Sequence, residues 1–195
     1  ALVNEFYNMR RKQVLQAKPN QAHISLVDLE KHFKVQIITQ NIDDLHERAG
    51  SKNVLHLHGE IKKSRSTAFP DLIYDIHGWQ LNLGDKCKKG SQLRPHIVWF
   101  GEEVPNMKQA YELVKTADIL MDVGSSLSVY PAAGLVFHAT EKCMKFLIDP
   151  GEVKITDIEN LKIFKENAGT GVPKVVKELL GISNQSSVQN ASTGK

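Results

Sequence analysis

Cysteine is nearly absent: Cys87 and Cys143 are the only two in 195 residues. Two thiols cannot build a disulfide framework, so the small disulfide-rich secreted folds are excluded and a reducing, cytoplasmic setting is expected. Long apolar runs are missing as well. No stretch of about eighteen apolar residues occurs, so no membrane-spanning helix and no membrane partner are expected. Neither sign of charge dominates: 25 Lys and Arg stand against 22 Asp and Glu, for a net +3 spread along the chain. That is too weak and too dispersed to mark a nucleic-acid surface, and no nucleic-acid partner is expected. No internal repeat and no signal peptide are visible, and the chain opens on Ala1 rather than Met, an opening expected to be a cut. What is present is ordinary globular composition, 41% hydrophobic and 24% charged, at a length suited to one good-sized domain with a small insertion.

Helix formers dominate residues 4–17, with Phe6, Met9, Val14 and Leu15 on an apolar stripe. Pro19 breaks that pattern, and Asn20 is placed to cap a shorter helix over 21–33 that faces inward through Ile24, Val27, Leu29 and Phe33. KVQIIT (34–39) and VLHLHG (54–59) predict strands on either side of the polar loop NIDDLHERAG. PHIVWFG (95–101), ADILMDVGSS (117–126), KFLID (145–149) and LKIFKE (161–166) predict further strands. Helices are expected over 106–117, from Pro131, and from near Gly171. This alternation predicts an α/β fold, a Rossmann-like parallel sheet with helices on both faces. Between 61 and 94 the periodicity lapses. Pro70, Gly78, Gly84, Gly90 and several lysines there predict a small loop-rich subdomain inserted in the main one. The polar tail 183–195 is expected to be disordered.

Three motifs carry polar chemistry. A strand ends at Thr39, and Gln40, Asn41, Asp43 and Asp44 follow where open α/β sheets bind ligands, beyond the carboxyl ends of strands. The same residue types also make plain turns. His56 and His58 are two apart on a strand and so face one side. They offer two metal ligands without a third, or a general base titrating near neutrality, or structural imidazoles; spacing does not single out His58. VGSSLSVYPAAG has the form strand, Gly-Ser-Ser turn, helix. Gly124 admits a phosphate or ribose close to the backbone, Ser125 and Ser126 add hydroxyls, and a helix N-terminus favours an anion. A helix cap and turn fits that motif equally well.

Taken in order, QNIDDLHERAG, LHGE, RPHIVWFGE, VGSSLSVYPAAG, LIDPGE and NAGTGVP resemble the sirtuin family over residues 5–182. The resemblance is closest to the bacterial and mitochondrial class that prefers acidic acyl groups. It implies NAD-dependent removal of succinyl, malonyl or acetyl groups from lysines of partner proteins, with release of nicotinamide and O-acyl-ADP-ribose. It implies His58 as the catalytic base, accepting a proton directly or through ribose hydroxyls once the acyl oxygen has attacked C1′ of NAD. Gln40, Asn41, Ile42 and Asp43 would line the ribose and nicotinamide pocket. Gly124, Ser125 and Ser126 would hold the other ribose and the phosphates, with Leu147, Ile148 and Asp149 beside the adenosine and Ala168 on the adenine. Val98, Phe100, Gly101 and Glu102 would form an edge that pairs with the substrate peptide; on their own, Val98 and Phe100 read as core strand. Tyr7 and Arg10 match the Tyr-x-x-Arg of the acidic-acyl class. Three apart on a helix, they would grip a carboxylate with a phenol and a two-pronged guanidinium. Without the resemblance they read as a solvated helix face.

Two features depart from the family. Sirtuins open with a strand and a Gly-Ala-Gly-rich loop over the NAD phosphates, and this sequence starts in the helix that follows. Residues 1–182 are therefore expected to be the catalytic domain without that strand and loop, with a non-catalytic NAD- or ADP-ribose-binding module as the rival expectation. The family's small subdomain also carries two Cys-x-x-Cys-like pairs for zinc. Here only Cys87 stands between 61 and 94, with Ser64 and Ser66 near the first pair's place. Zinc is expected to be absent, and Leu72, Ile73, Tyr74, Ile76, Trp79, Leu81 and Leu83 are expected to hold the subdomain instead.

Overall fold

The computed structural model describes residues 2–125, 132–152 and 158–192. Its helices are α1 (Leu2–Gln16), α2 (Gln21–Leu29), α3 (Leu45–Ala49), α4 (Met107–Lys115) and α5 (Ala168–Ser192), with a 3-10 helix over Ala132–His138. The strands are β1 (Ile37–Thr39), β2 (Val54–His56), β3 (Gly59–Ser66), β4 (Ile73–Asp75), β5 (Leu93–Ile97), β6 (Ile119–Val123), β7 (Met144–Ile148) and β8 (Leu161–Phe164). They form a β1-β2 pair, an antiparallel β4-β3-β5 sheet and a parallel β6-β7-β8 sheet. The chain divides into two compact units. One comprises the chain up to Lys18, Ile38–Arg48 and Val54–Asn106; the other comprises Pro19–Ile37, Ala49–Asn53 and the chain from Met107 onward. Among the described residues, no helix is long and apolar enough to cross a membrane.

The second unit follows the α/β pattern. β7 is its central strand and buries Phe146, Leu147 and Ile148 in succession, as a strand covered on both faces must. On α5, Val172, Val175, Val176 and Leu179 recur at helical spacing and join Phe146, Ile148, Ala22 and Leu29 in one apolar cluster. α2 begins at Asn20, whose side-chain oxygen accepts the amides of Ala22 at 3.0 Å and His23 at 3.4 Å, while the His23 ring bonds back to the Asn20 amide. Ala22 and Leu29 face inward on this helix, whereas Ile24, expected inside, is exposed. α5 is helical to Ser192, across residues expected to form a disordered tail. No proline interrupts 183–192, and extending a docked helix needs only one residue fixed per added bond.

The first unit departs from the sequence reading. The loop-rich stretch is organised as an antiparallel sheet whose longest strand, β3, was hidden because its buried residues are Ile61, Ser64 and Ser66. Periodicity looks for apolar residues, and two of these three are hydroxyls. Of the apolar residues expected to hold this region, Leu81 is buried, while Ile73, Trp79 and Leu83 are exposed. Ile61, Cys87, Pro95 and Ile97 are the other buried members. On α1 the expected apolar stripe is also reversed: Phe6, Met9 and Leu15 are exposed, and the helix buries Asn8 and Arg11. The strand expected over 95–101 ends at Ile97.

Candidate functional site

In the first unit, the loop after β1 is shaped by its own side chains. The Thr39 hydroxyl accepts the Asn41 amide at 3.0 Å, and the Asp43 carboxylate accepts the Leu45 amide at 3.0 Å, which starts α3. Asp44 pairs with Lys62 at 2.8 Å and with Arg48 at 3.1 Å. Gln40, Asn41, Ile42 and Asp43 are thus held on a fixed turn at a strand's carboxyl end, with Asn41 exposed.

The structure separates the two histidines that spacing could not. Both ring nitrogens of His56 are engaged, Nδ1 with the Asn41 carbonyl at 3.3 Å and Nε2 with the Glu47 carboxylate at 2.7 Å. The Asn106 side-chain amide donates to the His56 backbone carbonyl at 2.8 Å. His58 uses only Nδ1, 3.1 Å from the Gln40 carbonyl. To bond a carbonyl, Nδ1 must carry the proton, so a neutral His58 presents an unprotonated Nε2. Nε2 has no partner among the described residues. Immediately after it, Gly59 has φ +84, and a Cβ there would lie 2.1 Å from the His96 carbonyl oxygen. Only glycine lets β3 leave His58 this close to β5.

Residues 98–102 form a turn. The Val98 amide bonds the His58 carbonyl at 2.9 Å, and the Glu102 amide bonds the Trp99 carbonyl at 3.0 Å. The Glu102 carboxylate accepts Arg94 at 2.6 and 3.2 Å, Arg65 at 3.1 Å and the Trp99 amide at 2.9 Å. The Arg94 hydrogen bonds, joined by the Trp99 amide, hold its pKa down at about 2. The Arg94 guanidinium also lies over the Trp99 ring, 3.4 Å from its centroid. Glu102 therefore spends its carboxylate inside the chain, capturing the amide a continuing strand would need. Phe100 and Gly101 at the tip are exposed. On α1, Tyr7 is half-buried with its ring edge-on to Phe6, and exposed Arg10 bonds Gln13 at 3.3 Å.

In the second unit, the carboxyl ends of β6 and β7 lie side by side. Gly124 adopts φ +64, its amide bonds the Ile148 carbonyl at 2.9 Å, and among the described residues nothing fills the space where a Cβ would point. Half-buried Ser125 follows and hydrogen-bonds Asp122, whose carboxyl is pushed up chiefly by burial. Ser126 lies outside the described residues. Leu147 and Ile148 point into the core, so only their backbone is available to a ligand. Asp149 is buried, with Oδ1 accepting the Gly151 amide at 2.7 Å. Ala168 opens α5. An open glycine turn beyond parallel strands, together with a helix N-terminus, fits a dinucleotide.

The residues around Cys87 do not fit a four-ligand zinc site. Its thiol is hydrogen-bonded by Ser66, which draws its pKa down, and the Ser66 oxygen also accepts the Ala68 and Phe69 amides at 3.3 and 3.2 Å. Among the described residues, no three His, Cys, Asp or Glu side chains are grouped to hold a metal. Cys143 lies in the other unit, where burial pushes its thiol up. Sequence reasoning missed Arg11, Glu47, Arg65 and Arg94. Arg65 lies 37 residues and Arg94 eight residues before Glu102, and neither spacing carries a local signal, whereas Gly59 stands in the sequence directly after His58.

These features define an α/β protein of Rossmann type with a separate three-stranded antiparallel sheet. A model of the Sir2 family matches residues 1–131, and the chain belongs to that family. It is 47% identical over 185 residues to an NAD-dependent protein deacylase of Helicobacter pylori, covering 94% of this chain and 78% of the relative. It is also similar to the crystal structure of a Sir2 homologue in complex with NAD, with TM-score 0.82 and 34% identity over 92% of this chain and 72% of that one. A structure of Sir2Tm bound to a propionylated peptide matches with TM-score 0.75 and 34% identity, over 90% and 78% of the two chains.

Proposed function

We propose that the chain removes acyl groups from protein lysines with consumption of NAD, in the cytoplasm, and that His58 is its general base. The observation that carries the reading is the Gln40 carbonyl on His58 Nδ1, which fixes the tautomer whose Nε2 accepts a proton. NAD, when bound, supplies the C1′–nicotinamide bond at which the acyl oxygen displaces nicotinamide. Gln40, Asn41, Ile42 and Asp43 hold the ribose and nicotinamide end from their fixed turn. Gly124, Ser125 and Ser126 take the second ribose and the phosphates. Asp149, Ala168 and the backbone of Leu147 and Ile148 flank the adenosine. The clamped turn from Val98 to Gly101 receives the peptide through its backbone, and Glu102 keeps that turn in shape. His58→Ala is expected to lower nicotinamide release by about 100- to 10,000-fold, the range of a lost acid–base group. Its unfolding curve should stay near wild type, and unchanged release would overturn the assignment.

The acyl group is an acidic one, succinyl or malonyl in preference to acetyl. Tyr7 and Arg10 support this, since both lie on α1 at i and i+3 and the Arg10 guanidinium keeps donors beyond its Gln13 contact. Losing one charge-assisted contact costs about 2–3 kcal/mol. Arg10→Met should therefore lower the succinyl-to-acetyl ratio of kcat/KM by about 30- to 150-fold. Equal loss on both substrates would make Arg10 structural.

A further inference from the structure

Arg11 is fully buried, yet among the described residues it has no ion-pair partner. Burial draws its pKa down to about 10. Burying a guanidinium without a counter-charge is unfavourable, and a leucine would attach a helix with less desolvation. What the guanidinium adds is direction. Its Nε donates to the Ile61 carbonyl at 2.6 Å, and Nη1 donates to the Trp79 carbonyl at 2.9 Å and to Asn8 Oδ1 at 2.8 Å. Buried Asn8 in turn brackets one residue, donating to the Leu81 carbonyl at 3.2 Å and accepting the Leu81 amide at 2.9 Å. α1 is therefore fixed at Ile61, Trp79 and Leu81 by bonds with defined angles, which resist both sliding and rotation of the helix. An apolar face would permit either.

Ile61 is also the link toward the catalytic loop. It follows His58 by three residues, and its amide bonds the Ile42 carbonyl at 2.7 Å. Two hydrogen bonds thus connect Arg11 to the loop that carries Gln40 to Asp43. Tyr7 and Arg10 directly precede Asn8 and Arg11 on the same helix, so whatever fixes residues 8 and 11 fixes residues 7 and 10.

We infer that Arg11, with Asn8, is a positioning residue for substrate selection, setting Tyr7 and Arg10 in register with the strand and loop beside His58. The inference rests on the reading of Tyr7 and Arg10 as the grip on an acidic acyl group. Arg11→Lys keeps a cation but loses the planar fork, so it cannot reach all three acceptors. The full chain is assayed with paired succinyl- and acetyl-lysine peptides as wild type, Arg11→Lys, Arg10→Met and the double variant. Amide hydrogen exchange at Leu81 is followed on the same proteins. Arg11→Lys is expected to lower the succinyl-to-acetyl ratio of kcat/KM by about tenfold, chiefly through KM for the succinyl peptide, and to speed exchange at Leu81. In the double variant it should add little to Arg10→Met, because it acts through the same grip. An unchanged ratio in Arg11→Lys while Arg10→Met lowers it overturns the inference, and so does an additive double variant. If Arg10→Met leaves the ratio unchanged, the acyl reading itself fails and the inference falls with it; unchanged Leu81 exchange in Arg11→Lys overturns the positioning role in any case. Should Arg11→Lys not fold, Asn8→Ala removes the Leu81 half of the clamp and one of the three Arg11 acceptors, while the guanidinium keeps its Ile61 and Trp79 bonds. It is expected to move the ratio the same way, and no movement overturns the inference.

Discussion

In the parallel-sheet unit, the described apolar side chains that β7 and α5 bury are Phe146, Leu147, Ile148, Val172, Val175, Val176 and Leu179, beside one buried charge, Lys145, whose Nζ donates to the Thr140, Cys143 and Glu159 carbonyls. In the antiparallel unit, β3 buries Ser64 and Ser66 beside Ile61, and α1 buries Asn8 and Arg11. Apolar burial is strong but non-directional, so it holds elements together without fixing angles closely. Buried hydrogen bonds contribute less on balance, yet each unmade one is penalised, so they reject every arrangement but the one that satisfies them. The histidine, its tautomer-setting carbonyl and the clamped turn at 98–102 all lie in the directional unit. The base proposed at His58 must present one nitrogen, and it gains more from fixed angles than from additional apolar area.

The largest expected effect comes from the apolar side of this contrast. Phe146→Ala removes a ring 1% exposed at the centre of the parallel sheet, in contact with the Phe164 ring at 6.3 Å between centroids. It should cost about 3–5 kcal/mol, the usual range for an aromatic truncated in a core, as read from urea unfolding midpoints. A loss below about 1 kcal/mol would mean that the parallel unit is not held by its apolar cluster.

The same contrast explains what was legible in the sequence. β6, β7, β8 and the apolar face of α5 announce themselves because burial there is written in Val, Ile, Leu and Phe at regular spacing. β3 reads as loop because GEIKKSRS hides its inward positions among serines and charges. The stripe on α1 was misplaced for the same reason: periodicity weighs Phe6 and Met9 and has no means of ranking a buried Asn8 or Arg11 above them. That Gln40 to Asp43 and the Gly124 turn follow the carboxyl ends of strands is legible from residue type. The choice between His56 and His58 is not, because it depends on which carbonyls and carboxylates the fold brings to each ring nitrogen. The Arg65, Arg94 and Glu102 cluster is likewise a product of β3 and β5 pairing, with nothing local to betray it.

A smaller effect, and one with a pH signature, is expected from the polar side. Glu102 has a folded pKa of about 2, below the ordinary carboxylate value. A depressed carboxylate stabilises the fold fully above its unfolded pKa and loses that contribution as pH falls through its folded one. The contribution should therefore be intact at pH 5 and above and fade between about pH 4.5 and 2. Because the side chain is 32% exposed, the contribution is set at about 1–2 kcal/mol rather than the full linkage value. Glu102→Gln should cost that amount at pH 7, and its unfolding free energy should converge on wild type as pH approaches 2. A constant gap across the range would place the effect in packing rather than in the carboxylate charge.

The smallest expected effect is the most discriminating for the antiparallel unit. If serine hydroxyls and a guanidinium do the holding there, a chelator should leave stability where it was. Ser66 hydrogen-bonds the Cys87 thiol and accepts two amides, and among the described residues no three His, Cys, Asp or Glu side chains are grouped to hold a metal. Structural zinc contributes about 10–16 kcal/mol in the domains that depend on it, and stripping it unfolds them. Thermal unfolding with and without excess EDTA should therefore give Tm values that agree within error, and elemental analysis of the purified chain should find zinc well below one equivalent. A stoichiometric zinc, or a fall of several degrees in Tm on chelation, would mean that the hydrogen bonds at Ser66 are a consequence of metal-built geometry rather than its replacement. The contrast between the two units would then lie between apolar burial and coordination.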